Sequence, residues 1–276
     1  MRIKRTFLPG SNWLYYKFYC GESYANVLLS EVIKPFIDEQ KKGDIVLSWF
    51  FVRYGDPDFH VRLRLKLNDG NSQFSIMEEL EPILTPLLED SLIWDIQLGT
   101  YQRELERYGE PNIVICEELF YQESEFVMEL LRLEQNLSEH LFLCMVVIME
   151  YLNLFFNNDI QILAFLTSSY RAYKNEFNVT KEQARALSEK YNVVKSKLEY
   201  IGTENFNIKC LHSIQNHITK SSPMILAFKN KTKIAADIIH MFANRLFYSD
   251  QRAMELVAYH HLEKYYRTKL AKQNIS

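Results

Sequence analysis

The sequence predicts an α+β protein, and three observations carry that prediction. Residues 60–67 read His-Val-Arg-Leu-Arg-Leu-Lys-Leu, a strict alternation of period two, which is a strand with one buried face. The first hundred residues alternate between strand-like and helix-like segments. From about residue 113 onward apolar residues recur at helical spacing almost to the C terminus.

Taken in order, residues 13–20 are aromatic and compact and form a strand. Ser23 is placed to cap a helix whose apolar positions are Val27, Leu28, Val32 and Ile33, with Pro35 bending or shortening it. Residues 45–54 are a second strand and Gly55-Asp-Pro-Asp a turn. Residues 60–67 are the third strand, ended by Asn68-Asp-Gly-Asn. Residues 74–88 are helical but interrupted by Pro82 and Pro86, and 91–98 are a fourth strand. Strand, helix, strand, strand, helix, strand is the plan of ferredoxin-like modules, a four-stranded antiparallel sheet with both helices on one face. The helices expected beyond it span 113–134, 138–156, 159–173, 180–198, 204–218, 222–246 and 250–271. Thr180-Lys-Glu-Gln offers a helix start through the Thr180 hydroxyl. With no repeat, low-complexity tract or linker in sight, the expectation is one domain over 1–276. Its sheet-containing part would be 1–110, and its mostly helical C-terminal half, 111–276, would pack against the sheet.

Composition excludes several classes. About half of the 276 residues are apolar, with 18 Phe and 17 Tyr against 8 Gly and 7 Pro, so the chain is neither disordered nor fibrous. A net charge of −3, from 32 basic and 35 acidic residues, gives no electrostatic reason to expect nucleic acid or an anionic membrane as partner. Cys20, Cys116, Cys144 and Cys210 lie far apart and read as reduced, buried thiols. Neither a signal peptide nor a spanning segment is evident. The most apolar stretch, 141–156, is interrupted by Glu150 and Asn153 and reads as a buried helix, so a cytoplasmic protein is expected.

Three clusters could carry chemistry. Alternation places His60, Arg62, Arg64 and Lys66 on one side of the third strand and Val61, Leu63, Leu65 and Leu67 on the other, which must meet the helices. Arg53, at the end of the preceding strand, is expected near the basic row across the turn. Such a row is either a solvated polar face or, with guanidiniums on adjacent pleats, a clamp for a carboxylate or phosphate. The second cluster is Thr100-Tyr101-Gln-Arg103-Glu104-Leu-Glu106-Arg107-Tyr108-Gly. Read as a helical turn, it puts Arg103 and Arg107 on one face; an ordinary salt-bridged helix reads the same way. Glu117 and Glu118 stand at a helix start, where acidic residues suit the dipole. The third cluster is His240-Met-Phe-Ala-Asn244-Arg245. A lone His in an apolar helix is more often a core residue than a catalytic one, and His140, His212, His217, His260 and His261 take that core reading. No spacing matches a zinc site, and phosphate-cradling glycine loops and serine elbows are absent from the sequence.

Five pieces in one order carry a resemblance. They are Trp13-x-Tyr15-Tyr-Lys-Phe-Tyr, Trp49-Phe-Phe-Val-Arg53-Tyr-x-Asp56-Pro-x-x-His60-x-Arg62-x-Arg64, Thr100-Tyr-x-Arg-Glu-x-Glu-Arg107-Tyr-Gly, Glu117-x-x-Phe120 and His240-Met-x-x-Asn244-Arg245. Over nearly its whole length the chain resembles the thiopeptide-type bacteriocin biosynthesis domain, which is also the carboxy-terminal elimination domain of class I lantibiotic dehydratases. One departure is Glu123-Ser124, where that family commonly has Asp-Ser.

The resemblance implies a lyase that eliminates glutamate from glutamylated Ser or Thr of a ribosomally made precursor peptide, leaving dehydroalanine or dehydrobutyrine. It further implies a free-standing version working with a separate tRNA-dependent glutamylation protein. The expected catalytic set is Arg62, Arg64, Arg107 and His240, gathered around one anionic cavity. Arg53, His60, Tyr101, Arg103, Glu117, Asn244 and Arg245 are expected to bind substrate. No metal or organic cofactor is implied, and a homodimer is possible by analogy. Two alternatives stand beside this reading: a pyridine synthase joining two dehydroalanines in a formal [4+2] cycloaddition with release of the leader peptide, and a non-catalytic partner of a glutamylation enzyme.

Overall fold

The structure is a computed structural model that describes residues 3–133, 136–199 and 210–273. It contains two compact units, Met1–Arg132 and Leu133–Ser276.

In the first unit, β2 (Trp13–Cys20), β3 (Val46–Tyr54), β4 (His60–Leu67) and β5 (Ile93–Leu98) form a sheet of order β3-β4-β2-β5. Every neighbouring pair is antiparallel. This is the predicted split plan, with the first and third predicted strands central. Strict alternation in β4 sends Val61, Leu63, Leu65 and Leu67 to one face, each no more than 1% exposed. That face carries the helices. One is the run α1 (Ala25–Val27), a wider π-type turn (Leu28–Ile33) and α2 (Lys34–Lys42); the other is α3 (Ser72–Glu89). Gln40 of α2 donates to Glu79 of α3 at 2.5 Å, joining the pair.

Local chemistry explains where these helices depart from expectation. Ser23 does not cap; the turn starts from backbone bonds of Tyr24 and Ala25 to the Gly21 carbonyl. Pro35 does not end the helix, because the widened turn before it accommodates the missing N–H. Pro82 and Pro86 sit on the exposed side of α3, so the carbonyls they leave unbonded face water and the helix continues.

Two further short strands escaped the sequence reading. β1 (Thr6–Phe7) pairs with β6 (Tyr101–Gln102). After β6 come the single turn α4 (Leu105–Tyr108) and the long α5 (Ile113–Leu133). α5 runs along the open edge of β3: the Ser124 hydroxyl accepts from the Phe51 N–H at 3.3 Å, and the Trp49 indole donates to Glu125 at 2.6 Å. A helix thus covers an edge that would otherwise invite pairing, and α5 belongs with the sheet rather than with the later helices.

The second unit is helical: α6 (Leu137–Phe155), α7 (Asp159–Glu176), α8 (Lys181–Glu199), α9 (Leu211–Ala227), α10 (Lys231–Leu246) and α11 (Gln251–Gln273). Nearly every position of α6 from Phe142 to Leu152 is buried, as its apolar run required, and it packs against α9, α10 and α11. Thr180 caps α8 as predicted, its hydroxyl accepting from the Gln183 N–H at 3.2 Å while Gln183 Oε1 accepts from the Thr180 N–H at 2.8 Å. The break expected around 219–221 is absent. Pro223 lies inside α9, where the Thr219 and Ser222 hydroxyls bond back to the Gln215 and Ile218 carbonyls, and the chain turns instead at Asn230, whose φ is 52°. The start predicted at 204 and the residue Glu134 lie outside the described residues. The four cysteines are buried and unbridged. Among the described residues no helix is long and apolar enough to cross a membrane.

Candidate functional site

The sheet register gathers the first group of candidates on the face opposite α1–α3. Lys17 of β2 stands directly across from Arg62, Tyr15 across from Arg64 and Tyr19 across from His60; from β3, Phe50 pairs Arg64 and Tyr54 pairs His60. Arg64 is enclosed by aromatic rings, its guanidinium carbon 4.7 Å from the centroid of Tyr15, 5.0 Å from Tyr101 and 5.1 Å from Phe50. Its Nε is buried and has no hydrogen-bond partner among the described residues. Arg62 lies 3.4 Å over the Tyr54 ring and donates from Nε to His60 Nε2 at 3.0 Å.

His60 Nδ1 is 2.8 Å from the Asp58 carbonyl, which makes Nδ1 the protonated nitrogen and Nε2 the acceptor. Burial lowers the His60 pKa, with Arg62 and Lys17 pushing the same way and the Asp58 carbonyl opposing them. A neutral imidazole beside two cations is the consequence.

Neither Arg62, Arg64, Lys17 nor Lys66 has a carboxylate within ion-pair distance among the described residues, although all four are only half-exposed. Cations on alternate pleats, ~7 Å apart, repel by roughly 2 kcal/mol at an effective dielectric near 20. A dicarboxylate arriving between them offsets that repulsion and finds planar donors already held beside aromatic rings.

The neighbouring residues divide differently from the expectation. Arg53 does not join the basic row. Its Cα partner is Val61, so it lies on the helix face, 1% exposed, with Nη2 donating to Asn26 of α1 at 2.7 Å. Arg103 and Glu117 are committed to each other: Nε to Oε1 at 2.7 Å and Nη2 to Oε2 at 2.6 Å, while Nη1 donates to the Lys4 carbonyl at 2.9 Å. Tyr101, a wall of the Arg64 enclosure, donates its hydroxyl to Glu117 at 2.6 Å; burial first, then the Glu117 charge, raises its pKa well above the usual phenol range. Arg103 precedes α4 and does not share a helix face with Arg107, which bonds Glu104 at 3.4 Å and lies over Tyr108. A chain of ring contacts, Phe50 to Phe120 and Phe120 to Tyr108, connects the Arg64 enclosure with Arg107.

The third cluster belongs to the second unit. His240 is 24% exposed, and its Nδ1 is 2.7 Å from Oε1 of Glu255, a fully buried residue of α11. Asn244 lies one turn further along α10 and is half-buried. Arg245 does not present itself to a ligand; it is fully buried and donates to the Met241 carbonyl of its own helix at 2.9 Å. The core reading holds for His140, His217, His260 and His261, which are buried, but not for His212, which is exposed.

The residues that sequence reasoning missed are Lys17, Tyr15 and Tyr54 on the sheet, and Glu255. Alternation in Trp13-x-Tyr15-x-Lys17-x-Tyr19 was a usable signal for the β2 residues. A solitary Glu in the apolar run Met254-Glu-Leu-Val-Ala was a usable signal for Glu255.

Comparison with known proteins agrees with this architecture. The subtilin biosynthesis protein SpaB of Bacillus subtilis is 27% identical over 266 residues, covering 91% of this chain and 25% of its own length. The nisin biosynthesis protein NisB of Lactococcus lactis subsp. lactis is 29% identical over 264 residues, covering 93% and 26%. The chain therefore spans about a quarter of the length of these curated relatives. In fold, it is similar to the tRNA-dependent lantibiotic dehydratase MibB from Microbispora sp. 107891, with a TM-score of 0.73 at 16% identity over 97% of this chain and 29% of that one. It is also similar to the pyridine synthase TbtD from thiomuracin biosynthesis, with a TM-score of 0.67 at 10% identity over 93% and 98%. The family model for the C-terminal part of the lantibiotic biosynthesis dehydratase matches residues 13–266, and the chain belongs to that family.

Proposed function

We propose that this protein eliminates glutamate from glutamylated Ser or Thr of a ribosomally made precursor peptide. In that reaction a base removes the Cα proton, the Cβ–O bond breaks, glutamate departs as a carboxylate, and a Cα=Cβ bond remains. The observation that carries the reading is the basic sheet face, on which Arg62 and Arg64 lie against aromatic rings and have no carboxylate partner among the described residues. Glutamate supplies two carboxylates to such a face, one of them formed as the ester breaks. Donors fixed in advance where charge develops are worth about 10²–10³-fold in rate each.

Arg62 and Arg64 are assigned to the glutamyl carboxylates, with Arg107 completing the clamp. His240 is assigned to proton transfer, since its imidazole is part-exposed and is held at Nδ1 by a carboxylate. Arg103, Glu117 and Tyr101 support the face from behind rather than bind substrate themselves. A precursor peptide and a glutamylation activity that esterifies it are what this role requires.

The test is incubation of the protein with a synthetic peptide carrying one glutamyl-serine ester, and separately with a peptide carrying two dehydroalanines, each followed by mass spectrometry. Release of glutamate with formation of dehydroalanine supports elimination. An inert ester together with a cyclised second peptide would replace it with the pyridine-synthase reading. Inertness of both peptides would leave only a binding role.

A further inference from the structure

We infer that Glu255 is a positioning residue that holds His240 in the tautomer able to take a proton at Nε2. The inference rests on the assignment of His240 to proton transfer. Glu255 is fully buried, yet its two oxygens meet one donor each from different helices: Oε1 is 2.7 Å from His240 Nδ1 of α10, and Oε2 accepts the Tyr173 hydroxyl of α7 at 2.5 Å. A carboxylate only accepts hydrogen bonds, so the nitrogen it touches carries the proton. Nδ1 is therefore the N–H, which leaves the Nε2 lone pair bare. Nε2 bonds no described residue, and the ring is about a quarter exposed.

The direction of the Tyr173–Glu255 bond is fixed by Arg252. Arg252 of α11 donates from Nη1 to the Tyr173 hydroxyl at 2.8 Å, and its other guanidinium nitrogens bond Glu176 of α7. With one lone pair of its oxygen committed to Arg252, Tyr173 turns its own hydrogen to Glu255. Burial, followed by the Glu255 charge, raises the Tyr173 pKa, so that hydrogen stays on the phenol. Tyr259, the remaining polar ring beside this cluster, is likewise held protonated by burial. Arg252, Tyr173, Glu255 and His240 thus form one chain of bonds in which donors from both ends converge on the Glu255 carboxylate.

Glu255→Gln breaks this logic without changing shape. The amide has one accepting atom, and Tyr173 supplies a donor for it. The amide NH₂ then faces Nδ1, which must become the acceptor, and the imidazole proton moves to Nε2. Imidazole nitrogen NMR of the full chain is expected to show Nδ1–H in the native protein and Nε2–H in Glu255→Gln. With the glutamyl-serine peptide, kcat is expected to fall at least ~10²-fold at unchanged KM, as when a histidine loses its orienting carboxylate. Glu255→Asp keeps the charge and should retain the Nδ1–H tautomer with an intermediate rate. Tyr173→Phe leaves the Glu255–His240 bond intact and should change kcat by no more than a few-fold.

A native protein with the proton on Nε2 overturns the inference even if the amide variant does not fold. An inactive His240→Asn alongside a Glu255→Gln of native rate and tautomer overturns the role of Glu255 alone. A fully active His240→Asn overturns the underlying assignment and this inference with it.

Discussion

Replacing Arg103 by Met tests whether the Arg103–Glu117 pair is structural. The Met side chain keeps an unbranched apolar stem of similar length next to Phe7, over whose ring the guanidinium sits at 4.9 Å. It removes the charged head and its three bonds to Glu117 and the Lys4 carbonyl. Glu117 is 6% exposed and would keep only the Tyr101 hydroxyl. Breaking one side of a buried ion pair costs about 3–5 kcal/mol, because the surviving charge is stranded. Against a domain stability on the order of 5–15 kcal/mol, that is a large fraction.

Urea denaturation followed by Trp fluorescence reads the cost directly. The effect should persist in 0.5 M salt, since a buried pair is poorly screened. Glu117→Met should cost a similar amount, and the double variant far less than the two together, because no charge is then stranded. Single variants that lose less than about 1 kcal/mol, or an additive double variant, would refute the structural assignment and return Arg103 to the substrate-binding set.

Three further outcomes follow from the same geometry. Ser124→Ala removes the acceptor for the Phe51 N–H on a buried strand edge and should lower stability by about 1–3 kcal/mol, measured by the same denaturation. Burial lowers His217 and His261 to about 3 and His260 to about 4, so these rings stay neutral when folded and take up protons when unfolded below pH about 6.5. Stability should therefore fall as pH drops from 6.5 toward those values, by up to about 1.4 kcal/mol per pH unit for His217; His217→Phe should flatten the dependence, and an unchanged slope would contradict it. Arg64→Lys keeps the charge but loses the planar group that lies among three rings, so turnover of the glutamyl peptide should fall toward that of Arg64→Ala rather than remain near native.

What could be read from the sequence follows from how local each signal is. The faces of β4 were legible because alternation is a property of consecutive residues. Arg53 was misplaced because its face depends on register: Tyr54 pairs His60 across the turn, and stepping back one residue sends Arg53 to Val61 and the apolar side. β1 and β6 were invisible because two residues carry no periodicity, although they place Tyr101 beside Arg64. The stretch Ser221-Ser-Pro looks like a helix break, and only the exposure of Pro223 and of Thr219, the residue one turn before it, shows why it is not. Glu255 was passed over because its meaning comes from a histidine on another helix.

These differences change the site in a consistent direction. The set first grouped as substrate-binding contains supports: Arg103 and Glu117 fix Tyr101, and Tyr101 with Tyr15 and Phe50 fixes Arg64. Arg53 and Arg245 serve the interior. Among the described residues, what remains open to an anion on the sheet is Arg62, Arg64, Lys17 and Lys66, a more pre-arranged group.

The most direct measurement is the rate at which Arg64→Ala, shown to be folded by circular dichroism, converts the glutamyl-serine peptide to dehydroalanine under saturating enzyme. The account predicts a loss of about 10²–10³-fold relative to the native chain. Conversion at the native rate would contradict it.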